Sequence, residues 1–479
     1  MRNPKRITLV VVTAVLLLIL ITIPFKAYSQ NYVDLRIVEI VRIENNGDKV
    51  FSLEDFVNAS LYHNSSQQIA VLVSLKCNGT ELNRSQIKYD EDGNPYVEIE
   101  LPIKEIGPGE SVEFSAITKV RVYERSIQGP KFSIENSGTL DDIPKELKEK
   151  YTANTKLYQT KNEELIQLAM RIKGNETNVL KIVLLFLNWT EHNIKYPFGE
   201  LRPPSYPNET YKSGVGDCDD QANLLVTLCR IVGIPAITQG GLLFLPRNPL
   251  TKYQLPYGNG MYEIEFRRGG GHGWALVYIP PWKWVAVDCT FFEGAYTSPG
   301  GYIRSENLLD HIIGAAFYKK YVIVGFNVTV SDYVKESREW LADLDQYSLH
   351  WYEKLRIEIS PFETTTTTST YTYTNITTGP TIPTTTTPTT TTTETTPETT
   401  RTTTYSPTLT TTQKSPITTK TTTQTTEVTT SETTPITTKT TSPSPVTPTV
   451  PFDLSLVLVG VAVVAIIALS IGLFMIKKK

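Results

Sequence analysis

Cysteine is scarce in this chain, which has only Cys77, Cys218, Cys229 and Cys289. Four cysteines this far apart do not form the disulfide framework of a small secreted domain. Histidine is rare as well, with five residues, so few side chains can act as a base near neutral pH. The net charge of −3 over 479 residues argues against the basic surface that nucleic-acid binding requires. No motif predicts a cofactor or a metal.

Charge is absent from two long apolar runs near the ends of the chain. The run at residues 7–23 follows three basic residues and precedes the small-residue stretch Ala27-Tyr28-Ser29, which predicts a signal peptide over 1–29. An uncleaved signal anchor is the alternative. The run at residues 454–476 is long enough to span a bilayer, and three lysines follow it. We therefore predict a single membrane helix with a cytoplasmic tail over 453–479, and folded domains outside the cell.

Residues 363–452 have almost no apolar side chains and consist largely of threonine and proline. Such a tract cannot bury enough apolar surface to fold, and outside a membrane it is typical of an O-glycosylated stalk. A plain disordered linker is the alternative. Sites for N-glycosylation recur along the chain, which predicts a glycoprotein: Asn58, Asn64, Asn78, Asn83, Asn175, Asn188, Asn208, Asn327 and Asn375. Asn188 lies in an apolar helical stretch and is not expected to carry a glycan.

Residues 30–137 show the period-two alternation of β-strands, for example at 33–40 and 96–101. Short strands separated by turn signals predict an all-β sandwich. The acidic stretch at 90–94 superficially resembles a calcium loop. It lacks the distal glutamate, because Leu101 stands at that position, so we predict a hairpin turn.

The pattern becomes helical after Gly138, with strong helix signals at 162–171 and 179–193. Apolar strands follow at 272–279 and 284–290. This order predicts an α+β domain over 138–362.

Cys218 stands where a glycine-rich turn enters an apolar helical segment that ends before Gly233 and Pro235. In the first turn of a helix, free N–H groups and the dipole favour a thiolate. The acidic neighbours Asp217, Asp219 and Asp220 oppose it. A cysteine nucleophile also needs a base and a group that orients the base.

His272 is the best candidate for the base, because it opens a strand after three glycines that would let a substrate approach. If the strands form a hairpin around Pro280-Pro281, with Leu276 opposite Trp284, then His272 lies directly opposite Asp288. A one-residue slip would separate the two onto opposite faces. Cys229 and Cys289 are predicted to be core residues, with a disulfide between them as the alternative.

At these residues the sequence resembles the transglutaminase-like superfamily of papain-like cysteine enzymes. The resemblance extends loosely over 143–327, and the preceding β-domain looks like the N-terminal sandwich of exported archaeal and bacterial members. The motifs that carry the resemblance are GDCDDQA at 216–222, LCRIVGIPA at 228–236, HGWA at 272–275 and WVAVDCT at 284–290. The family commonly has Asp-Pro-Thr in the last motif, so Cys289 is a departure.

The resemblance implies a Cys-His-Asp triad of Cys218, His272 and Asp288 that attacks amide bonds of proteins or peptides. Hydrolysis is expected ahead of cross-linking. The Cys218 N–H would be one oxyanion donor, with a second from upstream: Tyr196, Tyr206 or Tyr211.

The competing function is a catalytically silent surface binding or adhesion module. In that hypothesis an aromatic cleft holds the ligand, and its candidate lining residues are Tyr253, Tyr257, Trp274, Trp282 and Trp284. An intact triad argues against it, because a pure binding domain does not need all three groups.

Overall fold

The computed structural model describes residues 31–362. The predicted signal segment, threonine-rich stalk and C-terminal membrane helix lie outside the described residues. Between residues 31 and 362, no helix is both long enough and apolar enough to cross a bilayer.

Eighteen strands and seven α-helices make up residues 31–362. The strands are β1 (Tyr32–Asn45), β2 (Phe51–Ser52), β3 (Asn58–Ser60), β4 (Gln68–Cys77), β5 (Thr80–Glu81), β6 (Lys88–Tyr89), β7 (Pro95–Glu98), β8 (Glu105–Ile106), β9 (Ser111–Tyr123), β10 (Ala236–Phe244), β11 (Thr251–Tyr257), β12 (Gly260–Arg267), β13 (Gly269–Ile279), β14 (Lys283–Val287), β15 (Tyr296–Ser298), β16 (Tyr302–Arg304), β17 (Val322–Val328) and β18 (Leu349–Ile359). The helices are α1 (Lys145–Tyr151), α2 (Glu163–Lys173), α3 (Val179–Asn193), α4 (Pro207–Ser213), α5 (Cys218–Ile231), α6 (Asp310–Ile313) and α7 (Tyr333–Gln346).

The largest sheet has seven strands in the order β11-β12-β18-β1-β9-β4-β5. Strand β1 lies between β9 and β18 and pairs antiparallel with both, while β12 pairs parallel with β18. Alternate residues of β1 are buried, as its sequence pattern predicts. The predicted sandwich region 30–137 therefore completes its main sheet with three strands from later in the chain.

A four-stranded antiparallel sheet, in the order β14-β13-β10-β17, forms the second part of the molecule. Strands β10 and β13 are buried along most of their length, because helix α5 packs against them. Helices α2 and α3 contribute Leu165, Leu168 and Phe186 to the same apolar core. Asn162 and Asn178 cap these two helices by accepting hydrogen bonds from Leu165 N–H and Lys181 N–H.

The acidic stretch at 90–94 forms the turn between β6 and β7, as predicted, but it does more than reverse the chain. Asp92 is buried and accepts hydrogen bonds from the N–H groups of Thr329, Val330 and Ser331. This turn therefore fastens the β-rich part to the segment that follows β17. His63 belongs to the same contact, because its Nε2 lies 2.9 Å from Asn94 Oδ1 in this turn, where burial lowers the pKa of His63.

Two glycosylation sites differ in exposure. Asn188 is exposed on α3, whereas Asn327 is buried and its Oδ1 accepts a hydrogen bond from Gln239 at 2.6 Å. Because only 8% of Asn327 is exposed, this fold leaves little room for a glycan on its side chain.

Candidate active site

Cys218 is the first residue of helix α5, as the sequence pattern predicts. The side chain is buried, with 1% of its surface exposed, and belongs to the same apolar cluster as Leu242 and Phe244 of β10. Asp217 stands at the N-cap position in an extended conformation. The thiol therefore lies where unpaired N–H groups and the helix dipole favour negative charge.

His272 and Asp288 contact each other directly. Nε2 of His272 lies 2.7 Å from Oδ2 of Asp288, and both side chains are buried. The other carboxylate oxygen of Asp288 accepts hydrogen bonds from Thr290 N–H at 3.0 Å and Phe291 N–H at 2.9 Å. The carboxylate is thus fixed on both oxygens. His272 Nδ1 is buried and has no hydrogen-bond partner among the described residues, so this nitrogen is free for proton transfer.

The hairpin register that we predicted for β13 and β14 is wrong by two residues. Leu276 lies opposite Ala286 instead of Trp284, because the turn comprises Pro280, Pro281 and Trp282. A two-residue shift keeps every side chain on its predicted face. His272 is consequently a diagonal neighbour of Asp288 rather than its direct opposite, and the contact between them is retained.

Gly273 brings the strand of His272 against the first turn of α5. A Cβ atom at Gly273 would lie 3.0 Å from Asp219 Cβ and 3.2 Å from Asp219 Cα, closer than side chains normally pack. Only glycine permits this approach of the two backbones. The thiol of Cys218 and the ring of His272 therefore stand on elements in direct contact.

Comparison with known protein families identifies this part of the chain. Residues 166–289, which include Cys218, His272 and Asp288, match the family model described as the transglutaminase-like superfamily. The segment is transglutaminase-like. This result confirms the resemblance inferred from the four sequence motifs.

Two solved structures are similar to the chain at low identity. One is a protein from Cytophaga hutchinsonii provisionally named a cysteine protease, with 13% identity, a TM-score of 0.42, and coverage of 70% of this chain and 93% of that one. The other is the periplasmic domain of TgpA from Pseudomonas aeruginosa, with 13% identity, a TM-score of 0.26, and coverage of 55% and 88%. No curated protein matches the sequence.

Three aspartates adjoin Cys218 in the sequence, and their side chains have different surroundings in the structure. Burial, followed by the charges of Asp220 and Asp219, raises the pKa of Asp217 well above its usual value. Burial and the charge of Asp219 do the same for Asp220, which accepts a hydrogen bond from Ser205 N–H at 2.7 Å. Asp219 accepts a hydrogen bond from the Tyr333 hydroxyl at 2.6 Å. Both shifts favour the neutral form of the acid, and a neutral acid opposes the thiolate less than a carboxylate does.

The ligand atoms of Asp217, Cys218 and Asp219 lie within 4.8 Å of one another, so these residues could together hold a cation. Thiolate and carboxylate donors suit Zn²⁺. Acidic groups often cluster without a metal, so this cluster alone does not indicate one.

Of the three tyrosines considered as oxyanion donors, Tyr196 is the one on which the charge of Cys218 acts. Burial, and then the charges of Cys218, Asp217 and Asp219, raise the pKa of Tyr196 well above its usual value. Its hydroxyl therefore keeps its proton and can donate. Tyr206 instead donates to Asp332 at 3.1 Å, and the Tyr211 ring packs on Trp189 with centroids 5.9 Å apart.

Trp274 does not line an open cleft, contrary to our expectation. It is fully buried, donates from Nε1 to Gln239 at 3.2 Å, and lies with its ring centroid 5.7 Å from that of His272. Trp282 and Trp284 pack elsewhere, against Phe132 and Tyr151. The aromatic cleft required by the binding-module hypothesis is therefore not assembled from these residues.

The other cysteines are buried and free, so the alternative of a Cys229–Cys289 disulfide is not realised. Burial raises the pKa of both thiols, and for Cys289 the charge of Asp288 adds to it. Both belong to the core of the transglutaminase-like part, as predicted.

Two residues that contact Asp288 or lie behind it were not predicted from the sequence. His311 Nδ1 lies 2.7 Å from the backbone oxygen of Asp288, and its Nε2 lies 2.7 Å from Glu191 Oε1. Nothing in the local patterns joins Glu191 near the end of α3 to His311 on α6, since 120 residues separate them. The one local signal is that each is a titratable residue within an otherwise apolar segment, where such residues are seldom buried without a partner.

Proposed function

We propose that the protein is a thiol acyl-transfer enzyme that acts on amide bonds of proteins or peptides, with Cys218, His272 and Asp288 as its catalytic residues. The contact between His272 Nε2 and Asp288 carries the proposal, because it orients the ring and leaves the buried Nδ1 without a partner. That is the arrangement a base needs beside a nucleophile at a helix start.

The reaction would proceed in two steps. The Cys218 sulfur attacks the amide carbonyl carbon, the carbon–nitrogen bond breaks, and His272 gives its proton to the departing amine. The developing oxyanion would accept hydrogen bonds from the Cys218 N–H and the Tyr196 hydroxyl. Water or an amine then attacks the thioester, His272 accepts the attacking group's proton, and the thiol is regenerated on release of the product.

We propose hydrolysis ahead of cross-linking, and a location at the outer face of the cell membrane. The location is supported by the apolar run at 454–476 with its lysine tail and by the threonine-rich tract before it. Such a tract would hold the catalytic part away from the bilayer.

Mass spectrometry of reaction products tests the chemistry. The full-length chain, purified in detergent, is incubated with glutamine-containing peptides with and without a primary amine. Hydrolysis adds the mass of water at a cleaved peptide bond, or converts glutamine to glutamate, whereas cross-linking adds the amine and releases ammonia. Cys218→Ala should abolish every product, while Cys229→Ala, at a buried core thiol, serves as the matched control. Equal product from the parent and Cys218→Ala would overturn the proposal.

A further inference from the structure

Strand β14 ends one residue before Asp288, so the backbone of Asp288 must find hydrogen-bond partners outside the sheet. The ladder between β13 and β14 ends at the pair Ala275–Val287. Asp288 is fully buried, so its backbone N–H and C=O require partners that the sheet no longer provides.

His311 supplies both partners. The Asp288 N–H donates to the backbone oxygen of His311 at 2.8 Å, and His311 Nδ1 lies 2.7 Å from the backbone oxygen of Asp288. The imidazole is buried and stacks on the Phe292 ring, with centroids 4.0 Å apart. Two hydrogen bonds from one residue thus fix the backbone of Asp288 at the point where its carboxylate turns towards His272.

Glu191 determines the protonation of the His311 ring. A carbonyl oxygen can only accept, so Nδ1 must carry a proton. Glu191 Oε1 already accepts from Ser305 N–H at 2.7 Å and from the Ser305 hydroxyl at 2.9 Å, and it lies 2.7 Å from His311 Nε2. Burial raises the pKa of Glu191, but the bonds from His311 and Ser305 and the charge of His311 together hold it below its usual value. An ionised Glu191 only accepts, so Nε2 carries a proton too.

We propose that His311 is a buried imidazolium, held by Glu191, that acts as a positioning residue for Asp288 and through it for His272. This inference rests on the proposed function, because it assigns His311 to the support of that triad. The cation does not touch substrate. Its contribution is to hold the Asp288 carboxylate in the direction of His272 Nε2 and to place a positive charge behind it.

Removing the cation should act on the triad in two ways. Loosening the Asp288 backbone lets the imidazole of His272 drift, and small misplacements of this kind can lower turnover by roughly 10–100-fold. Removing a positive charge also makes it easier for His272 to hold a proton, so the pH dependence of the thiolate–imidazolium pair moves upward. The titratable groups that face or adjoin His311 are Glu191 on α3, Asp288 and Cys289 after β14, and Asp310 on α6.

The test measures the rate at which iodoacetamide alkylates Cys218, peptide by peptide, over a range of pH in the full-length chain. This rate reports the thiolate–imidazolium pair whether or not an amide substrate is found, so failure here is distinct from failure of the proposed function. We expect His311→Ala to slow alkylation and lower kcat roughly 10–100-fold with KM little changed. His311→Asn should recover part of the lost alkylation rate and kcat, because its amide can still donate to the Asp288 backbone oxygen. The rise of its alkylation rate with pH should occur at a higher pH than in the parent.

Nitrogen-15 NMR of histidine-labelled protein provides a second measurement, for the case in which His311→Ala fails to fold. The parent should show a His311 ring protonated on both nitrogens, and Glu191→Gln should yield a ring protonated on Nδ1 alone, because the ionised acceptor at Nε2 is gone. A singly protonated His311 in the parent would overturn the proposal. So would a folded His311→Asn variant with the alkylation rate and pH profile of the parent.

Discussion

The sulfur of Cys218 stands beside three aspartates, and the protonation of one of them can be read from stability. Asp217 is buried, with a pKa well above the usual 3.8 of aspartate. The folded protein therefore keeps this proton at pH values where the unfolded chain has lost it. The group stabilises the fold below about pH 4, and this contribution is lost as the pH rises towards the folded-state pKa.

Asp217→Asn should therefore stabilise the protein at neutral and alkaline pH. Asparagine has similar volume, cannot ionise, and can donate to Asp219, so we expect the free energy of unfolding to rise by about 1–3 kcal/mol at pH 8. The difference should shrink towards pH 4. Urea denaturation at a series of pH values measures it, with the exposed Asp48→Asn as the matched control. Parallel stability curves for the parent and Asp217→Asn would show that Asp217 is already ionised in the fold.

Among the elements of the fold, the close approach of β13 to α5 determines the geometry of the proposed active site. Gly273 is the point of contact, with Asp219 Cβ 3.0 Å from the position of an added Cβ. Gly273→Ala must push the strand and the helix apart, because the opposing atoms include the backbone of Asp219. His272 is the adjacent residue, so the displacement acts on the distance between the base and the thiol.

We expect Gly273→Ala to lower kcat/KM roughly 10–100-fold while the protein remains folded. Gly269→Ala is the control on the same strand, because an added Cβ there meets Ile357 Cδ1 at 2.8 Å and the Leu243 backbone oxygen at 3.2 Å, neither of which belongs to α5. Thermal midpoints and kinetics of both variants separate the effects. Equal losses of activity in the two would mean that the contact with Asp219 has no special role.

The sequence predicted the elements of this site better than their pairing. Helix α3 has the predicted bounds, 179–193, because asparagine capping and apolar periodicity mark it locally. The contact of His272 with Asp288 followed from strand parity, although the register was two residues away. By contrast, the parallel pairing of β12 with β18, from Met261–His350 to Arg267–Arg356, depends on tertiary packing across a long stretch of chain. No local pattern encodes it.

At the scale of the whole molecule, the two apolar cores are joined rather than merely adjacent. Cys218 belongs to helix α5, yet its side chain packs in the core of the seven-stranded sheet. That sheet takes β11, β12 and β18 from the later part of the chain. The boundary near residue 138 stays a prediction, while the contacts across it show that the site is supported from both sides.

The turn at Asp92 connects the two cores through hydrogen bonds that a single substitution can remove. Its Oδ1 accepts from Thr329 N–H at 2.8 Å and Val330 N–H at 2.7 Å, next to the start of α7, whose Tyr333 hydroxyl bonds to Asp219. Asp92→Ala leaves these buried donors without an acceptor, so we expect a loss of about 3 kcal/mol in the free energy of unfolding.

The free energy of unfolding of Asp92→Asn should lie between those of the parent and Asp92→Ala, because one side-chain oxygen remains to accept hydrogen bonds from both N–H groups. The neighbouring Glu91 is exposed, and Glu91→Ala should change stability by less than about 0.5 kcal/mol. Because the two cores share strands, unfolding of every variant should remain a single transition by tryptophan fluorescence and by circular dichroism. Two separate transitions in Asp92→Ala would mean that the cores fold independently and that this turn only tethers them.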